Sequence, residues 1–188
     1  MPKRIVAVVG DTHLEAAGEK AHLAEALGKR LIEEGHRVLT GGVGDLARSV
    51  AKGARGAGSY REGDLVAVLP GFDPSDAGDC ADIVIASGFD QGRNMLVANS
   101  DAVVAIGGGA GTLSEIALAW ALKRLILAYR TEGSSSKVAG TRIDERDRYP
   151  GIPDDRVYAV ENDSEVADLL RRYLPLYTKR HRGIPSGP

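Results

Sequence analysis

The chain has one cysteine, Cys80, in 188 residues. An intrachain disulfide, a cysteine-ligated zinc cluster and a Cys-x-x-Cys redox pair are therefore all excluded, and a reducing, cytoplasmic setting is expected. Long hydrophobic runs are also missing. None approaches the roughly 20 apolar residues of a membrane span, and Met1-Pro-Lys-Arg leads straight into a strand-like run with no secretory pattern. Excess charge is absent too: the formal net charge is −2, which argues against a nucleic-acid surface. His13, His22, His36 and His181 show no metal-ligand spacing, so no metal site is expected. No lysine has the setting of a pyridoxal-phosphate Schiff base. With 43% hydrophobic residues, the length suits one well-buried domain.

Glycine is plentiful, and its placement carries the signal. Asp101-Ala-Val-Val-Ala-Ile106 reads as a buried strand, and Gly107-Gly-Gly-Ala-Gly-Thr-Leu-Ser-Glu115 follows it as a turn opening a helix. Such a turn lets backbone approach an anion closely, and the helix start offers free N–H groups and the positive end of its dipole. Gly108, Gly109, Ala110, Gly111 and Thr112 are the expected phosphate cradle. The Lys-Ser/Thr ending of a triphosphatase loop is missing, and the spacing is not Gly-x-Gly-x-x-Gly. A triphosphate motor and an ordinary dinucleotide dehydrogenase are both disfavoured.

The rest of the chain repeats strand, loop and helix. Ile5-Val-Ala-Val-Val9 ends at Gly10-Asp-Thr-His13, and Leu23, Leu27 and Leu31 then mark a helix up to Gly35. Val38-Leu39 reaches Gly41-Gly42-Val43-Gly44, where Asp45 is expected to cap the next helix. Leu65-Val-Ala-Val-Leu69, Ile83-Val-Ile-Ala86, Leu125-Ile-Leu127 and Val157-Tyr-Ala-Val160 complete the strands, and a helix starts at Asp163. The pattern predicts a single-domain α/β fold over residues 1–174: a Rossmann-like, doubly wound, mostly parallel sheet of about seven strands flanked by helices. Ligands of such sheets bind beyond the strands' carboxyl ends. Gly10, Asp11 and Thr12 after the first strand, with Gly41 and Gly42 after the second, are thus further candidates. His13 shares that loop and could touch a ring. Residues 131–156, with Gly133-Ser-Ser-Ser-Lys137, read as a long solvated loop or lid, and 175–188 as a C-terminal tail.

Gly107-Gly-Gly-Ala-Gly-Thr-Leu-Ser-Glu115 resembles the Pro-Gly-Gly-x-Gly-Thr-x-x-Glu signature of the LOG superfamily. Gly41-Gly42, Lys52-Gly-Ala54, Val68-Leu-Pro-Gly71, Ala86-Ser-Gly88 and Gly92-Arg-Asn94 follow that family's order, so the resemblance covers residues 4–128. It implies one of two activities. One is a phosphoribohydrolase that cleaves the N-glycosidic bond of a nucleoside 5′-monophosphate. The other is a molybdenum-cofactor carrier, which binds a phosphorylated pterin without turnover. Arg93-Asn94 and Thr112-Leu-Ser-Glu115 are closer to the carrier branch, because Ser114 stands where the hydrolases have the first acidic residue of a pair. The ligand implied is a molybdenum cofactor or an AMP-like nucleotide, with no cofactor required for catalysis, and the partner is a small phosphorylated molecule rather than nucleic acid or membrane.

In either activity Arg93 would clamp phosphate or sugar through its fork of donors, and Glu115 would face the sugar. Hydrolysis would use both as the catalytic pair, since positive charge develops on the ribose. Thr112-x-x-Glu115 also fits a helix capping box, a purely structural role. A homodimer or higher homo-oligomer is expected from the apolar helix carrying Ile116, Ala119, Trp120 and Leu122.

Overall fold

The computed structural model describes residues 2–15 and 17–180. The expected tail therefore lies partly outside the described residues, as does His181. Seven strands form one sheet: β1 (Ile5–Gly10), β2 (Arg37–Thr40), β3 (Leu65–Leu69), β4 (Ile83–Ala86), β5 (Ala102–Ile106), β6 (Leu125–Tyr129) and β7 (Tyr158–Val160). Six helices flank it: α1 (Glu19–Glu33), α2 (Gly44–Arg55), α3 (Asn94–Ala98), α4 (Ala110–Ala121), α5 (Ser134–Val138) and α6 (Asp163–Tyr173). The strand order is β4-β3-β2-β1-β5-β6-β7, and every pair is parallel.

Apolar runs without alternation make this possible. β3, β5 and β6 are buried at all five positions, as strands covered on both faces must be. Along β1, Val6 and Val8 pack in the layer with α1, α2 and α6, whereas Ala7 and Val9 face the layer containing Ile116, Ala119 and Trp120 of α4. α1 and α2 approach backbone to backbone: a Cβ at Gly53 would stand 1.8 Å from the Glu25 carbonyl oxygen, and one at Gly28 2.2 Å from that of Val50.

Two expectations change at this level. β4 is not a buried strand but a sheet edge, with Ile83 and Ile85 about half exposed. Ile116, Ala119 and Trp120 do not form an apolar outer face, because all three are buried within the chain and Leu122 packs against their cluster. The Arg148 guanidinium lies 3.5 Å from the Trp120 ring centre, and the indole N–H donates to Asp144.

The chain runs outward from β1 to β4 and then returns, so that β5 pairs on the other side of β1. β1 and β5 are thus the topological switch point, where adjacent crossovers diverge and leave a crevice. Gly10 is in register with Ile106. A Cβ at Gly10 would lie 2.1 Å from the Ile106 carbonyl oxygen, so this strand end admits only glycine.

Candidate functional site

The glycine turn after β5 has a division of labour. Gly107 and Gly108 have φ of +64° and +87°, a region that side chains penalise. A Cβ at Gly107 would meet Asp11 Oδ2 at 2.3 Å, and one at Gly108 would meet Thr112 Oγ1 at 2.2 Å. Gly109 is different: its φ is −109°, and nothing lies within 4 Å of its Cβ position. Its empty side faces a cleft of about 430 Å³.

α4 begins at Ala110 with Gly109 as N-cap, and no side chain caps it. The amides of Ala110, Gly111 and Thr112 therefore have no intrahelical acceptor, and the first turn carries no acidic residue to offset its dipole. The capping box is not formed. Thr112 is the third helical residue, and its hydroxyl donates to the Gly10 carbonyl at 3.2 Å, which ties α4 to the end of β1. Glu115, a turn further in, is left free of any capping role.

The segment expected to be a solvated loop holds this turn in place. Ser134 and Ser135 are buried at the start of α5. Their backbone N–H groups donate to the carbonyls of Gly108 and Gly107 at 2.7 and 2.9 Å. Ser134 Oγ donates to the Gly109 carbonyl, and Ser135 Oγ accepts from the Gly107 N–H, both at 2.8 Å. All three glycine carbonyls, which an anion would meet unfavourably, are thus committed to α5. Gly133 makes this contact possible, since its Cβ position is 2.6 Å from the Gly107 carbonyl carbon.

Opposite the turn, Arg93 closes a short 3-10 turn (Asp90–Arg93). Its Nη1 is buried with no hydrogen-bond partner among the described residues and stands 4.0 Å from Glu115 Oε1, too far for a hydrogen bond. The side chains of Arg93 and Glu115 are only 16% and 8% exposed. Burial raises the Glu115 carboxyl to about 7, against the opposing pull of the Arg93 charge. Burial likewise lowers the guanidinium, with Glu115 and Asp90 acting the other way.

The cleft brings together most of the residues singled out from sequence: Gly10, Asp11, Thr12, Arg93, Gly109, Gly111, Thr112 and Glu115 line it, and His13 stands at its exposed side. Gly41 has another task. A Cβ there would lie 2.5 Å from Arg93 Nη1, so Gly41 makes room for the guanidinium in a small adjoining hollow. Gly42 is not brought into the cleft; its N–H donates to Thr40 Oγ1, and its Cβ position packs on Ala67 and Leu69 of β3. Asp45 does not cap α2, whose N-cap is Val43. Its carboxylate accepts from the Leu14 N–H at 3.1 Å, and its own N–H donates to the Thr12 carbonyl. Asp45 therefore clamps the loop that presents Asp11, Thr12 and His13.

Sequence reading missed Gln91 and Lys20 and gave Asn94 no task. Asn94 is buried and donates to Ser114 Oγ at 2.8 Å and to Gln91 Oε1 at 3.2 Å, while Ser114 in turn donates to the Gly111 carbonyl. Ser114 is thus part of the bracing of α4. Lys20 pairs with Asp11 at 2.6 Å. Nothing in its spacing sets it apart from other helix lysines. Among the described residues no group of three or more His, Cys, Asp or Glu is placed to hold a metal, and no helix is long and apolar enough to cross a membrane.

A seven-stranded parallel sheet with a glycine-rich strand-to-helix turn at its switch point defines a Rossmann-like protein of the LOG-like class. The chain belongs to the SLOG cluster4 family, whose profile matches residues 3–152. An uncharacterised protein of Archaeoglobus fulgidus is 39% identical over 106 residues, which span 56% of this chain and 67% of that protein. Among solved structures, the molybdenum cofactor binding protein from Rippkaea orientalis is 26% identical, with a TM-score of 0.72 over 92% of this chain and 98% of its own. The Moco carrier protein from Chlamydomonas reinhardtii is 27% identical, with a TM-score of 0.72 over 93% and 99%. DNA processing protein A from Helicobacter pylori, at 14% identity and a TM-score of 0.60 over 90% and 80%, shares the fold alone.

Proposed function

We propose that the chain binds a phosphorylated heterocycle in this cleft, in the manner of a molybdenum-cofactor carrier, and releases it unchanged. The observation that carries the reading is Arg93, whose buried Nη1 has no partner among the described residues and whose side chain lines the same cleft as the uncapped start of α4. A buried cation lacking a hydrogen-bond acceptor is costly, and an anionic ligand removes that cost. The phosphate sits on the amides of Ala110, Gly111 and Thr112 over the bare side of Gly109, with the Arg93 fork as its second clamp. The ring lies toward Thr12, His13 and Glu115. A phosphorylated pterin and a nucleoside monophosphate share this chemistry, and the likeness to carrier proteins favours the pterin.

The hydrolytic alternative draws on Glu115, because a carboxyl near 7 can exchange a proton at neutral pH. It has less support, since Ser114 is engaged by Asn94 and offers no second carboxylate.

Calorimetry with AMP and with a phosphorylated pterin tests the binding site. Gly109→Val should abolish binding of both, because its side chain enters the space of the phosphate while the backbone φ of −109° tolerates it. A Gly109→Val protein that binds as tightly as the parent would remove the cradle from consideration. Release of adenine from AMP at catalytic rates would replace the carrier reading with the hydrolase.

A further inference from the structure

A second cleft, of about 510 Å³, adjoins the first and shares Asp11 and His13 with it. Its other walls come from the start of α1 and from the segment after β6, whereas the first cleft is walled by α3 and α4. The two meet over the β1/β5 switch point, the place where doubly wound sheets accommodate ligands with two halves. Lys20 and Asp11 stand at this junction, packed so closely on Gly107 that a Cβ there would lie 2.9 Å from Lys20 Nζ. The ammonium carries three N–H groups, and Asp11 takes one at 2.6 Å. In the second cleft the carboxylates of Asp11, Glu15, Glu19 and Glu132 outnumber the cations Lys20 and Arg130. That surplus disfavours another free phosphate and suits a group rich in hydroxyl and amino hydrogens, which carboxylates accept.

We propose that the ligand is a two-part molecule whose halves are joined through a diphosphate, and that the second cleft takes its hydroxyl-rich half. This rests on the phosphate-site reading above. One ring lies beside Arg93 and Glu115, the diphosphate crosses the glycine turn toward the remaining donors of Lys20, and the second sugar and ring meet the carboxylates beyond. Joining two modestly binding halves raises affinity because the second contact becomes intramolecular.

The test compares AMP, ADP and diadenosine 5′,5′-diphosphate by calorimetry on the full chain; ADP controls for added phosphate charge. Diadenosine diphosphate should bind about tenfold or more tightly than ADP. Glu15 is exposed on the wall of the second cleft, so Glu15→Trp should fill that cleft, erase the advantage and leave AMP within about twofold of the parent. Lys20→Gln should weaken ADP and the dinucleotide more than AMP. Equal affinities for ADP and the dinucleotide, with AMP still bound, would overturn the two-part ligand and leave the phosphate site standing. An advantage that survives Glu15→Trp would overturn it equally. Failure of AMP, phosphorylated pterin and the dinucleotide alike to bind would sink both proposals together.

Discussion

Replacing Glu115 with glutamine should stabilise the ligand-free protein, and by an amount that depends on pH. The carboxyl sits at about 7 instead of its ordinary 4.5 because burial penalises the charged form more than Arg93, 4.0 Å away, favours it. Below pH 4.5 the group is protonated in both the folded and unfolded chains, so it costs nothing. Between 4.5 and 7 the unfolded chain releases a proton that the folded chain keeps, and stability falls as pH rises. Above 7 the cost is complete, about 3 kcal/mol at about 1.4 kcal/mol per pH unit. Glutamine has nothing to ionise. Its advantage over the parent should be about 1 kcal/mol at pH 5.5 and about 3 kcal/mol at pH 8, a widening of about 2 kcal/mol. For a chain of this length that equals about 4–8 °C in Tm. Urea unfolding of both proteins at the two pH values isolates the effect, because every other titrating group cancels in the difference. A gap that does not widen with pH would show that Glu115 is not held neutral by burial, and the electrostatic account of the cleft would fail.

Three further outcomes follow from contacts elsewhere. Ser135→Ala deprives the buried Gly107 N–H of its acceptor and should cost about 1–3 kcal/mol in urea unfolding while weakening AMP binding; unchanged unfolding would mean that α5 does not brace the turn. Gly53→Ala drives a Cβ against the Glu25 carbonyl and should lose about 1–3 kcal/mol by the same measurement, so a neutral result would contradict the close crossing of α1 and α2. Asp155→Ala strands the buried Arg148 guanidinium, now paired at 2.9 Å with Asp155 Oδ2 and facing Tyr177 across the same carboxylate. The loss should be about 3–5 kcal/mol; a loss under about 1 kcal/mol would refute the burial of that pair.

The sheet was legible because most of its strands are apolar runs, with β1, β3 and β5 ending directly at glycine or proline, and a run such as Ala102–Ile106, buried on both faces, has no polar residue to confuse the period. What could not be read was which strand stands at an edge. Ile83-Val-Ile-Ala86 has the composition of a central strand, but sequence neighbours do not determine how many crossovers lie outside a strand. The same limit applies to α4. Its apolar surface suggested a partner subunit, yet the segment around Asp144 and Arg148, more than twenty residues further on, returns to cover Trp120.

The site divides along a similar line. Where recognition depends on backbone, the sequence is nearly sufficient: a positive φ at Gly107 and Gly108 and an unobstructed Gly109 leave few residue types able to serve. Where it depends on side chains converging from distant elements, residue type alone is ambiguous. Thr112 and Glu115 have the spacing of a capping box, and only the start of α4 at Ala110 decides that they cap nothing. Gly41 reads from sequence as a further ligand-loop candidate, and only the position of Arg93 reveals that its missing side chain serves the guanidinium. These reversals strengthen one another. Releasing Glu115 from the helix end places its carboxyl in the cleft, and the space at Gly41 holds Arg93 opposite it without a hydrogen-bond acceptor for Nη1. The result is a buried carboxyl and a buried guanidinium 4.0 Å apart, too distant to hydrogen-bond each other, with the uncapped start of α4 lining the same cleft. Such an arrangement is unfavourable in the empty protein, and the phosphate ester proposed above would relieve it by supplying the missing acceptor.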